Sequence, residues 1–191
     1  MIAEPGPPVG CGEWPRRILV YGVSGSGKTT LARRLGELTG LPLHAVDDLM
    51  WQPGWVQVPV QEQRRRMAEI CAGDVRILDH AYGTCLDVVL PRVQLVVGLD
   101  FSRPVALARL LRRSVINIVA RRPTCNGNVE TWSQLFGPNS IVRWQVRSAA
   151  EFAARIHHWA ADPDGPPVII FRRPRQVERW LRNARFSADA A

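Results

Sequence analysis

Residues 17–29 read Arg17-Ile18-Leu19-Val20-Tyr21-Gly22-Val23-Ser24-Gly25-Ser26-Gly27-Lys28-Thr29, and the architecture follows from them. From Arg17 to Tyr21 the chain is a nearly unbroken apolar run, too short for a buried helix and right for the central strand of a parallel sheet. Gly22 to Thr29 then match the pattern GxxxxGK[ST] in full. Its glycines let the backbone wind so tightly that successive N–H groups point inward at a phosphate, and the helix that follows adds the positive end of its dipole. Lys28 is placed to reach the β and γ phosphates, and Thr29 to offer a hydroxyl to Mg²⁺. The nucleotide-binding set is therefore Gly22, Ser24, Gly25, Ser26, Gly27, Lys28, Thr29 and Thr30.

Outward from this loop, Lys28 to Thr39 reads as a helix with Leu31, Leu35 and Leu38 on one face and Gly40 as its stop. Leu41 to Val46 is a second strand, closed by Asp47 and Asp48. Val60 to Ala72 is a polar helix stopped by Gly73, with Met67 and Ile70 as core contacts, and Val75 to Leu78 is a third strand. A short helical piece, Leu86 to Leu90, precedes a fourth strand, Val93 to Leu99. A long helix starts at Arg103 or Pro104 and continues weakly toward Arg122, where Pro123 ends it. Thr124 to Asn139 has no clear periodicity. A helix over 140–160, a fifth strand from Val168 to Phe171 and a last helix from about Arg175 to Ala184 complete the chain. Strands alternating with helices predict an α/β fold, a parallel sheet covered on both faces through right-handed crossovers. Residues 1–15, rich in Pro and Gly, read as a flexible leader, 16–185 as one domain and 186–191 as a tail.

The 191 residues carry 25 basic and 17 acidic side chains, a formal charge of +8, and the basic residues are 24 arginines and one lysine. The arginine excess is compositional background, whereas the lone lysine occupies the one position where a compact ammonium on a flexible stem is needed. Its uniqueness excludes the NKxD loop by which regulatory GTPases read guanine, which favours ATP. The positive balance suits an anionic partner without naming it. No run of about 18 apolar residues is present and no apolar signal core opens the chain, so a cytoplasmic protein without a membrane span is expected. Cys11, Cys71, Cys85 and Cys125 form no CxxC pair and read as free thiols rather than a zinc site or disulfide framework.

Two carboxylates stand at strand ends, where ligands gather in open parallel sheets. Asp79 follows Arg76-Ile77-Leu78 and suits a Walker B carboxylate holding Mg²⁺ directly or through water. Asp47 suits a substrate or metal role, against the alternative of a capping or loop residue, while Asp100 is better explained as the cap of the next helix. Phosphoryl transfer needs positive charge around the moving group, which Arg109 and Arg113, or Arg121 and Arg122, can supply, against the alternative of a solvated arginine face. Arg64 to Arg66 read as surface. His80 stands beside Asp79 as a base or substrate contact, against the alternative of a plain loop histidine; His157 and His158 read as helix surface. Trp51 and Trp55 either wall a substrate pocket or pin their loop to the core.

The loop Gly22 to Thr29, the stretch Leu41 to Asp47 followed by Trp51-Gln52-Pro53-Gly54-Trp55, the turn Asp79-His80-Ala81-Tyr82 and the segment Leu107 to Arg113 together resemble the small bacterial adenylate-kinase-like P-loop proteins, some of which are labelled DNA topology modulation proteins. The resemblance covers about residues 16–183. It implies a three-layer fold with a five-stranded parallel sheet in the order 2-3-1-4-5, a lid near residues 113–138, and the turn from Arg172 to Arg175, with Arg173, near the adenine. In that family the third strand usually ends Asp-Gly-Asn-Tyr, so His80-Ala81 is a departure that removes any acceptor contact made by the Asn. The expected activity is ATP- and Mg²⁺-dependent phosphotransfer to a nucleotide or other small molecule, with Lys28, Asp47, Asp79, Arg109 and Arg113 as catalytic residues, in a monomer or homodimer. The alternative is a non-catalytic or regulatory nucleotide-binding protein, with or without an association with DNA, for which the chain offers no recognised reading motif.

Overall fold

The computed structural model describes residues 14–138 and 140–184; most of the expected leader and all of the tail lie outside them. Five parallel strands form the central sheet: β1 (Arg17–Gly22), β2 (Leu43–His44), β3 (Arg76–Leu78), β4 (Leu95–Leu99) and β5 (Val168–Phe171). Numbered within that sheet, their order is β2-β3-β1-β4-β5, as the sequence reading expects. Four short strand pieces outside it make two antiparallel hairpins, Trp51–Gln52 with Val56–Gln57 and Pro123–Thr124 with Asn128–Val129, so counted along the chain over the nine strands of the described residues the sheet order runs 2-5-1-6-9.

β1 sits at the centre because both of its faces are apolar. Ile18 pairs with Ile77 on one side and Leu95 on the other, and Leu19 with Leu78 and Val96. Alternate residues feed opposite cores, since successive strand side chains point to opposite faces. Leu19 and Tyr21 pack with Met67 of α3 (Val60–Ala72) and with Phe152 and Ile156 of α7 (Ile141–Ala161). Ile18 and Val20 pack with Leu31 and Leu35 of α1 (Lys28–Thr39) and with Val177 and Leu181 of α8 (Pro174–Asn183). Gly40 stops α1 in the left-handed region, φ 72°, its N–H bonded to the Gly36 carbonyl. Leu38, expected on the buried face of α1, is exposed instead. Among the described residues no helix is long and apolar enough to cross a membrane.

The short helical piece after β3 is α4 (Leu86–Val89), and several local expectations change. The run from Leu41 to Val46 is strand only at Leu43–His44, and Val46–Met50 is a short helix, α2. The Val46 N–H donates to Asp79 Oδ1 at 2.9 Å, so the carboxylate at the end of β3 caps that helix, and Asp47 and Asp48 sit in its first turn instead of closing a strand. Helix α5 (Arg103–Val119) stops short of Pro123, with Arg121 in the left-handed region at φ 47°. The segment without periodicity is ordered: Cys125, Asn126 and Gly127 turn the second hairpin with φ of 39°, 61° and 84°, and Thr131 and Gln134 form a capping box on α6 (Trp132–Phe136). Asp100 caps nothing; its Oδ2 lies 3.0 Å from Nε2 of His157 on α7, tying the end of β4 to that helix.

Candidate active site

The loop between β1 and α1 is held open from behind. Gly25 has φ 83°, and a Cβ there would lie 2.1 Å from the Ala106 carbonyl oxygen of α5, so glycine is required by conformation and by space alike. Gly27, at φ 94°, takes the N-cap position of α1 and provides no side-chain cap. The first-turn N–H groups of α1 are thereby left for a ligand. Ser26 Oγ points the same way, being buried within the loop without a hydrogen-bond partner.

Lys28 reaches back toward the loop, its Nζ 3.4 Å from the Val23 carbonyl. Burial pulls the ammonium below its ordinary range, Asp47 and Asp79 oppose that shift, and Arg113 adds to it. Thr29 Oγ1 donates to Asp79 Oδ2 at 2.7 Å, and Asp79 is 4% exposed. Its carboxyl is raised above the usual range by burial, against the hydrogen bonds from Thr29 and Val46. Among the described residues no group of three or more His, Cys, Asp or Glu is placed to hold a metal alone. One hydroxyl paired with one carboxylate beside a phosphate cradle is nevertheless a donor set that fits Mg²⁺, which takes few protein oxygens and completes its shell with phosphates and water.

On the far side of Lys28 a hydrogen-bonded chain fixes the second carboxylate. Trp51 Nε1 donates to the Tyr82 hydroxyl at 2.9 Å, and that hydroxyl donates to Asp47 Oδ1 at 2.8 Å. Burial, with Asp47 beside it, holds the Tyr82 phenol well above its usual range. His80 stacks beside the rings of Tyr21 and Phe152, 5.8 Å from each, and its ring lies 5.0 Å from that of Tyr82. Burial, helped by Lys28, keeps the imidazole well below its ordinary value and hence neutral.

Ser26, Lys28, Thr29, Asp47, Trp51, Asp79, His80 and Tyr82 line one cleft of about 1810 Å³. Its roof is the second hairpin laid against the first. Asn128, 4% exposed, donates to the Gln52 and Cys125 carbonyls at 2.9 and 2.6 Å and accepts the Trp55 N–H at 2.8 Å. Asn126 adds a backbone bond to Asp48 and a side-chain bond to the Trp51 carbonyl. Trp51 and Trp55 thus do both things the sequence left open, walling the cleft and pinning the loop.

No protein-family model matches the chain, and no curated protein matches it. Solved structures do. A shikimate kinase from Acinetobacter baumannii, in complex with shikimate, matches with TM-score 0.55 and 16% identity over 86% of this chain and 88% of its own. A shikimate kinase from Bacteroides thetaiotaomicron gives 0.52 and 15% over 88% and 96%. A deoxyadenosine kinase from M. mycoides gives 0.51 and 13% over 86% and 96%. The fold is that of the P-loop kinases.

Within this P-loop fold the cleft gathers Ser24, Gly25, Ser26, Gly27, Lys28, Thr29, Thr30, Asp47, Asp79, Arg109 and Arg113. Arg109 sits over the Phe101 ring at 5.6 Å and close to Gly27. Gly22 does not line the cleft; a Cβ there would meet the Leu99 carbonyl oxygen at 2.7 Å, so its role is close packing of β1 on β4. Arg173 is exposed and stands apart from the lining, to which α8 contributes Pro174, Val177 and Glu178. Arg121 and Arg122 are exposed and also outside it, beyond the end of α5. Arg64, Arg65 and Arg66 are engaged with Asp87, Glu62 and Glu69. The residues missed by the sequence reading come from α7: Trp144, Ser148, Glu151, Phe152 and Arg155 all face the cleft. Their spacing of three and four marks one helix face, and that was the available signal. Arg155 donates to the Tyr21 hydroxyl at 3.1 Å and pairs with Glu151.

Proposed function

We propose that the protein is a kinase of small molecules or nucleotides, transferring the γ-phosphoryl group of ATP to an acceptor held near Asp47, Trp51, Asp79 and Tyr82. The observation that carries this reading is the convergence of Lys28, the Thr29–Asp79 pair and Asp47 at one end of a roofed cleft. Lys28 and the N–H groups of the loop bind the phosphates, Thr29 and Asp79 hold Mg²⁺, and Arg109 and Arg113 offset charge spreading over the transferred group. Mg²⁺, when bound, neutralises phosphate charge. The acceptor oxygen bonds to the γ-phosphorus as the bond to the β–γ bridging oxygen breaks, ADP leaves, and Asp47 takes the acceptor proton. The roof, part of an expected lid over 113–138, excludes water that would otherwise compete as acceptor. The resemblance to the small adenylate-kinase-like P-loop proteins is consistent with this reading, as is a cytoplasmic location where ATP is supplied.

Calorimetry with MgATP, paired with an ADP-release assay across candidate acceptors, tests it. The wild-type protein should bind MgATP, and Lys28→Ala should abolish both binding and release. Unchanged MgATP affinity in Lys28→Ala would overturn the assignment of the phosphate site.

A further inference from the structure

α2 has only five residues, too few to hold its place by its own hydrogen bonds, so what fixes it lies outside it. At its start the Val46 N–H donates to Asp79 Oδ1 at 2.9 Å, while Asp79 Oδ2 accepts the Thr29 hydroxyl at 2.7 Å. The helix is thereby seated on the carboxylate of the expected metal site. Its next two residues are tied in different directions. Asp47 Oδ1 accepts the Tyr82 hydroxyl at 2.8 Å, and Asp48 Oδ1 accepts the backbone N–H of Asn126, in the roof hairpin, at 3.1 Å. Among the described residues, Asp48 is the one side chain of α2 that is hydrogen-bonded to that hairpin.

The turn that Asp48 holds is a strained one. Cys125, Asn126 and Gly127 all lie in the left-handed region, at φ 39°, 61° and 84°, a conformation that only the glycine adopts freely. Within the hairpin, the Asn128 amide donates to the Cys125 carbonyl at 2.6 Å. The bonds from Asn128 to Gln52 and Trp55, and from Asn126 to the Trp51 carbonyl, run between the two hairpins and keep the roof together. The bond to Asp48 is different, since it fastens the roof to the floor of the cleft. Asp47, Asp48 and Arg113 all act on the Cys125 thiol, so the turn stands beside both carboxylates and an arginine of the phosphate end. Asp48 itself is exposed, so this fastening can open without unpacking a core.

We infer that Asp48 is a positioning residue, the latch that holds the roof turn 125–127 over Asp47, and that filling the Thr29–Asp79 site tightens this latch through α2. The second half rests on the reading of the loop between β1 and α1 as a nucleotide-phosphate site. Asp79 is bonded through both oxygens, so a ligand that orders its carboxylate also orders Val46 and the first turn of α2, and Asp48 passes that order to Asn126. The coupling is reciprocal: a fastened roof favours the bound nucleotide in turn.

The test reads the turn itself. Hydrogen exchange over residues 123–129 and iodoacetamide labelling of Cys125, resolved by peptide mass, are followed in the full-length wild type, Asp48→Ala and Asp48→Asn, each without ligand, with MgATP, and with ATP in EDTA. Asparagine keeps an oxygen for the Asn126 N–H but not the charge, which separates the bond from the electrostatic effect of Asp48 on the thiol. Without ligand, exchange in Asp48→Ala should be about three- to tenfold faster than in wild type, and in Asp48→Asn within about twofold of it. Labelling of Cys125 should be faster in Asp48→Ala than in Asp48→Asn by a similar factor. MgATP should slow exchange of the wild-type hairpin at least about fivefold, more than ATP in EDTA does. In Asp48→Ala that protection should be lost although calorimetry still registers MgATP binding. Wild-type exchange rates in Asp48→Ala overturn the latch, and so does an equal rise in Asp48→Asn, or acceleration that spreads to β1 and β4. MgATP protection undiminished in Asp48→Ala overturns the link through α2. Failure of the wild type to bind MgATP strikes the nucleotide reading instead, and the ligand-free comparison of the three proteins still decides the latch.

Discussion

At the scale of single residues, the cleft sets the reactivity of side chains by where it buries them. Cys125 stands in the roof hairpin, half-buried, and burial pushes its thiol up from 9.0 to about 11, with Asp47 and Asp48 adding to the shift and Thr124 and Arg113 opposing it. Because the thiolate is the reactive species, and a raised value leaves the thiol protonated until the pH approaches that value, its thiolate fraction near neutrality should fall about a hundredfold below that of an unperturbed cysteine. Iodoacetamide labelling at pH 7.5, mapped by peptide mass, should accordingly be slow at Cys125 in the native protein and fast after unfolding. Labelling at the rate of a free thiol would show that the hairpin does not shelter it. The same logic of place over type applies to Lys28: 24 arginines mark no site by themselves, whereas one lysine at the phosphate loop does.

Elements differ in how far the sequence discloses them. β1, β4 and β5 are readable because their apolar runs are buried from both faces, and α3 because Gly73 and a polar exposed face bound it. α2 is not readable, since what fixes the turn after His44 is a hydrogen bond that the Val46 N–H donates to the Asp79 carboxylate, 33 residues away. The roof hairpin is hidden for the same reason: its order comes from Asn128 gripping Gln52 and Trp55, contacts more than 70 residues apart in sequence. The Asn126-Gly127 turn and the Thr131-x-x-Gln134 capping box are its only local marks. Asn128 is the point at which this element is most vulnerable. Asn128→Ala leaves the Trp55 N–H and the Gln52 carbonyl without their partner, and should cost about 1–3 kcal/mol. Urea denaturation should register the loss, and hydrogen exchange should accelerate in residues 51–57 and 123–129 while β1 and β4 stay protected. Uniform acceleration across the central sheet would mean that the roof is not a separate unit.

Considered as a whole molecule, arginines on α1, α3 and α7 are paired with Glu178, Glu62, Glu69, Asp87 and Glu151, so the charge of +8 rests on the other basic residues. What unites the chain is the cleft, lined from α1, α5, α7, α8 and both hairpins, so a ligand bound there holds together elements from almost every part of the sequence. A ligand that binds only the folded state stabilises it by mass action, about 2.7 kcal/mol at a concentration one hundred times its Kd. For a chain of this size that corresponds to a rise in Tm of about 5–10 °C. MgATP at such a concentration should produce the rise. Lys28→Ala, whose fold does not depend on the ammonium, should melt near the wild-type temperature without ligand and gain almost nothing from MgATP. Asn128→Ala should start lower yet still gain, because the phosphate loop is intact and only the roof is loosened. If Lys28→Ala gained as much as wild type, the nucleotide would be binding somewhere other than the loop between β1 and α1.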